Sequence, residues 1–164
     1  MEPADYLSLI IEAGITITGF SGIVVALGPP RDRFRSAWDR HQFRGLLLSS
    51  LVAVAISGLA LVLLAAELGP GLVWRIASAT NLVAFALFLP SGLRKVFTEY
   101  PELISLRQKL LVFPLLFTVI VLLAANAIAI AAFWPLAVAV AFQIGISLVN
   151  FVQLLWRSLY NDHV

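Results

Sequence analysis

Residues 110–132 read LLVFPLLFTVIVLLAANAIAIAA, without a single charged side chain and with only Thr118 and Asn126 polar. A helix needs about 20 predominantly apolar residues to cross the hydrocarbon core of a bilayer, and this run is long enough. A helix apolar on every side has no wet face, so it belongs in a large protein core or in lipid.

The rest of the chain decides between those two. Four more runs of the same kind follow or precede it: Tyr6–Leu27, Leu46–Leu68, Leu72–Pro90 and Pro135–Trp156. Of 164 residues 61% are hydrophobic and 12% charged, with mean hydropathy +0.98. Soluble domains sit near half apolar and a quarter charged, and a chain this apolar has too little polar surface to cover itself in water. The expectation is an all-α integral membrane bundle of about five transmembrane helices with short amphipathic cytoplasmic helices, one transmembrane domain over residues 1–164.

The connections alternate. Leu27 to Leu46 and Ser91 to Lys109 are long and charged, whereas Gly69-Pro70-Gly71 and Phe133-Trp134-Pro135 are tight turns. Arg31, Arg33, Arg35, Arg40, Arg44, Arg94, Lys95, Arg107, Lys109 and Arg157 all fall on the side of the long loops, and Arg75 alone falls on the other. Basic residues are held back on the cytoplasmic side during insertion, so the N-terminus is expected outside and the C-terminus in the cytoplasm, a parity that five spans satisfy. Trp and Tyr favour the membrane–water boundary. Tyr6, Trp74 and Trp134 fall at the expected outer boundary, and Trp38, Tyr100, Trp156 and Tyr160 at the inner one.

The long loops carry helix signals. Ser36 stands three residues before Asp39, a capping pattern, with a helix expected to run on through Arg44 into the second span. Pro101-Glu102 suits another first turn. Pro114 is expected to kink the fourth span, and Pro90-Ser91-Gly92 to end or bend the third. The outcome would be a collar of short basic helices, anchoring the inner surface or docking a partner.

Several function classes are excluded. With no cysteine there is no disulfide, thiolate catalysis or iron–sulfur ligation. His41 and His163 are far apart and outside the apolar runs, so no metal site is expected, and no cofactor. The net charge of +2 lies between apolar runs rather than on a basic surface, so nucleic acid is not an expected partner. The first Lys or Arg follows the first apolar run, which argues against a secretory signal peptide. Gly19-Phe20-Ser21-Gly22 approaches a nucleophile elbow, but Ile23 stands where glycine is required.

Two groups of residues remain. Gly14, Thr18, Gly22 and Ala26 recur every four residues along the first span, a small-residue seam that lets helices approach closely in lipid. Ser49, Ala53 and Ser57, and Ala137, Ala141 and Gly145, repeat the device more weakly. The second group is polar. Glu12 lies nearly two turns inside the first span, where a carboxylate costs a few kcal/mol unless paired, protonated or hydrated, and Arg75 is its natural partner, with Glu67 in competition. Asn81, Asn126, Gln143 and Asn150 lie deeper and must find hydrogen bonds. Structural glue is one reading of them; a polar pocket formed by Glu12, Arg75, Asn81, Asn126 and Gln143 is the other.

The run GFSGIVVALG over residues 19–28, the Arg-rich loop after it, Trp38-Asp39-Arg40 and Trp74-Arg75 together resemble a group of small uncharacterised bacterial multipass membrane proteins. The resemblance covers about the first half of the chain and implies a bacterial cytoplasmic membrane, but no activity. The leading expectation is therefore a small multipass membrane protein that works as a homo-oligomer or as a subunit of a membrane assembly, with the lipid bilayer and other membrane subunits as its partners. A channel or transporter built around Glu12 is the alternative, and a lipid-modifying enzyme using Glu12 and Arg75 a third.

Overall fold

The computed structural model describes residues 2–27, 37–99 and 106–160, the side chains of 25–27, 106–109 and 157–160 excepted. The chain forms five long helices: α1 (Pro3–Leu27), α2 (Ala37–Ala65), α3 (Pro70–Thr98), α4 (Leu106–Ala125) and α5 (Phe133–Tyr160). A π-helical turn, Asn126–Ile130, prolongs α4. All five helices contain a stretch long and apolar enough to cross a membrane. Large apolar side chains such as Leu87, Phe117 and Ile128 face outward, as they do when lipid is the solvent. The protein is an all-α multipass membrane bundle.

Helix α2 begins at Ala37 and runs without a break from the charged loop into its span. Ser36, Arg31, Arg33, Arg35, Tyr100 and Pro101 lie outside the described residues, as do the side chains of Arg107, Lys109, Arg157 and Tyr160. Pro90 does not end the third span; α3 continues through it to Thr98. Proline removes one backbone donor, which frees the Ala86 carbonyl. Transmembrane helices tolerate this because neighbouring groups and local adjustments absorb it; one residue on, Ser91 Oγ bonds the Phe88 carbonyl at 2.9 Å. Pro114 lies likewise within α4, followed by Thr118, whose Oγ1 bonds the Pro114 carbonyl at 2.9 Å.

Both tight turns use left-handed residues that are not glycine. Helix α2 closes with Glu67 N–H to the Leu64 carbonyl (3.0 Å) and Leu68 N–H to the Leu63 carbonyl (3.3 Å). This is the crossed pair of a Schellman cap, with Glu67 at φ 56°. Pro70 then opens α3, where its missing N–H costs nothing. The turn after the π-segment sets Ala131 at φ 53°, and it precedes Phe133 rather than containing the Phe-Trp-Pro triplet, which begins α5.

The start of α1 lies at this turn end of the bundle. Tyr6 donates its hydroxyl to the Ala137 carbonyl (3.1 Å) and sets its ring edge-on to Phe133 at 5.5 Å. Trp74 is buried against Phe133 at 5.1 Å, inside the bundle rather than at a lipid boundary. Trp134 and Trp156 are exposed. The core is assembled here, from Leu7, Ile10, Ala53, Ile56, Val73, Ala77, Leu123 and Leu136 among others. At the opposite, basic end stand Arg40, Arg44, Arg94 and Lys95.

The packing face of α1 holds Leu7, Ile10, Gly14, Thr18 and Ser21, in steps of three and of four. Each four-residue step overshoots a full turn by about 40°, so a strict four-residue seam walks off the face. Gly14 and Thr18 face α2, but a Cβ on Gly22 would meet nothing within 4 Å. The side chain of Ala26 is outside the described set. On α5 the same drift leaves Ala141 and Gly145 exposed and buries Leu136, Ala139, Val140, Gln143 and Ser147.

Candidate functional site

The amides divide into two layers. Asn81 on α3 is fully buried, and its Oδ1 accepts a hydrogen bond from Gln143 Nε2 of α5 at 2.7 Å. One turn nearer the turn end, Asn126 Nδ2 donates to Ser78 Oγ at 2.8 Å. Asn126 also holds its own turn: its Oδ1 accepts from the Ala132 N–H (2.9 Å) and its carbonyl from the Ala131 N–H (3.2 Å). An amide placed where α4 widens into the π-turn thus supplies the bonds that a regular helix end would lack.

A second polar row joins α2 to α5 toward the basic end. Gln42 Nε2 donates to Gln153 Oε1. The Leu46 carbonyl accepts both Ser147 Oγ (3.0 Å) and Ser50 Oγ (2.8 Å). Thr18 Oγ1 lies 2.9 Å from Ser50 Oγ, which ties α1 to the same row. A Cβ on Gly45 would lie 3.4 Å from Asn150 Nδ2, so glycine there admits the amide. Gln42, Ser50 and Gln153 escaped the sequence reading because they are near a span's end or beside a seam drawn one residue away, through Ser49.

Glu12 and Arg75 stand apart from both layers. Their side chains are exposed, as is that of Glu67, and Glu12 makes no ion pair with either among the described residues. The structure brings Asn81, Asn126 and Gln143 into the interior and leaves Glu12 and Arg75 on the surface. Among the described residues no three His, Asp or Glu gather as metal ligands would.

Beneath the Asn81–Gln143 pair the bundle opens. A cavity of about 1240 Å³ lies between α2, α3, α4 and α5 and reaches from the basic end to Gln143. Arg40, Arg44, Lys95 and Glu99 stand at its mouth, and Phe85, Phe88, Phe113, Leu116 and Phe142 form its walls. Phe97 and Phe113 stack at 5.2 Å across α3 and α4, and Trp38 stacks on His41 at 5.5 Å near the rim. Helices α3 and α4, which carry Pro90 and Pro114 in their interiors, form one side. Drug-sized ligand pockets run to about 1,000 Å³, so this space is lipid-sized. No spacing rule announces it, because it depends on the angles between helices.

Fold and site together define a multipass membrane bundle, packed at one end and hollow at the other. No family model matches the chain, and no curated protein or solved structure matches it either.

Proposed function

We propose that this protein is a small binding bundle of the bacterial cytoplasmic membrane, N-terminus outside, that holds one anionic lipid between α2, α3, α4 and α5 on the cytoplasmic side. The observation that carries this is the pairing of a cationic mouth with an aromatic chamber of lipid size. Among the described residues there, Arg40, Arg44 and Lys95 outnumber Glu99, and each basic group near a membrane surface attracts acidic headgroups by about 1 kcal/mol. The acyl chains meet Phe85, Phe88, Phe113 and Phe142, which offer apolar area and no hydrogen-bond demand. The same arrangement moves the polar-pocket reading away from Glu12.

Native mass spectrometry after extraction from vesicles of equal phosphatidylglycerol and phosphatidylcholine tests it. Wild type should retain phosphatidylglycerol, and Arg40→Ala with Arg44→Ala and Lys95→Ala should weaken that preference about fivefold per charge. Equal retention of the two lipids by wild type sinks the reading.

A second reading, self-association in lipid, is favoured by Gly19 and Gly22. Among the described residues nothing lies within 4 Å of a Cβ on either, and exposed Phe20 and Ile23 flank them. A Gly22→Cys variant oxidised in bilayers should give disulfide-linked dimers, and a purely monomeric product removes this reading.

A further inference from the structure

The bond between Gln143 and Asn81 uses half of each amide. Asn81 Nδ2 and Gln143 Oε1 are buried and have no partner among the described residues. Turning both amides over reverses the bond but leaves the same remainder, one N–H donor and one carbonyl acceptor. Each such orphan costs about 1–3 kcal/mol, and hydrocarbon on either side supplies no relief. Asn126, one layer away, shows the contrast, with its Oδ1, Nδ2 and backbone carbonyl all engaged.

The remainder specifies what completes it. A cation would face the unpartnered N–H and an anion the unpartnered carbonyl, while a bare carbonyl ligand would satisfy only the donor. A hydroxyl accepts from one side and donates to the other. Buried waters characteristically make about two to four hydrogen bonds to groups otherwise unsatisfied, and two such groups are present here. Gln143 also lines the cavity, so its layer is the ceiling that anything entering from the basic end meets.

We propose that Asn81 and Gln143 form an incomplete site at the cavity ceiling that binds one neutral hydroxyl group, supplied by water or by an uncharged amphiphile in the chamber. The site is independent of the charges at the mouth. It selects for a polar group deep in the membrane, where a plain acyl chain presents none.

Side-chain amide NMR in bilayer nanodiscs tests this, with the Asn81 and Gln143 signals assigned by their loss in Asn81→Leu and Gln143→Leu. Magnetisation transfer from water to these amides, absent at the Asn126 amide, identifies water as the occupant. A shift of the same signals on adding 1-dodecanol, and none on adding dodecane, identifies an amphiphile's hydroxyl. Neither transfer nor shift means a dry amide pair and overturns the proposal. Dodecanol is uncharged, so its effect should persist in the Arg40→Ala, Arg44→Ala, Lys95→Ala variant. Equal retention of phosphatidylglycerol and phosphatidylcholine by wild type would then count against the anionic-lipid reading alone.

Discussion

At the turn end Leu7, Ile10, Val73, Trp74, Leu123 and Leu136 close around one another, while at the basic end the same helices part around 1240 Å³ lined by four phenylalanines. Both halves are apolar, so hydropathy does not separate them. What differs is side-chain size at the contacts and the bonds that fix the helices. Near the turns, alanines at 53, 60, 77 and 139 are fully buried, and Tyr6 and Asn126 bond to the backbone of the neighbouring turn or helix. Toward the basic end the polar row holds α2 to α5 and, through Thr18, to α1, and bulky Phe85, Phe88 and Phe113 border open space. In lipid, helices adhere through close packing rather than through expulsion of water, so large residues without complementary neighbours hold a bundle apart.

The contrast has consequences for truncation. Leu123→Ala empties a fully buried position and should cost about 3 kcal/mol, whereas Phe113→Ala enlarges a space already open and should cost about 1 kcal/mol. Equal losses in reversible unfolding in mixed micelles would erase the distinction between the ends. Next in size is α1. A Cβ on Gly14 would sit 2.5 Å from Val54 Cγ2 and 3.3 Å from the Ser50 carbonyl, neither of them a flexible chain end. Gly14→Leu should therefore cost about 2 kcal/mol by overpacking, while Gly22→Leu should stay within about 0.5 kcal/mol. The smallest effect belongs to the turn. Glu67→Gly relieves a left-handed residue at φ 56° and should raise stability by about 0.5 kcal/mol; an unfolding midpoint below wild type would contradict the cap.

Spans were legible in the sequence because crossing hydrocarbon is a property of length and composition. Asn81, Asn126 and Gln143 were legible as interior groups, since an amide facing lipid chains finds no partner. Glu12 was not, because depth along a helix does not say which way a side chain points. The seam through Gly14 and Thr18 was read with a period of four and drifts off by Gly22, since packing follows a mixture of three- and four-residue steps. The π-turn at Asn126 and the passage of α3 through Pro90 depend on bonds to particular carbonyls, which spacing does not reveal.

The chain contains no cysteine, so single cysteines report cleanly on which half is open. Ser49→Cys and Ala84→Cys border the cavity, while Ala53→Cys and Ala77→Cys replace fully buried residues nearby on the same two helices. In sealed vesicles with the basic end exposed, N-ethylmaleimide should modify the first pair at least tenfold faster than the second. Equal rates for Ser49→Cys and Ala53→Cys, only one turn apart, would show that the two ends are equally closed or equally open and would contradict this account.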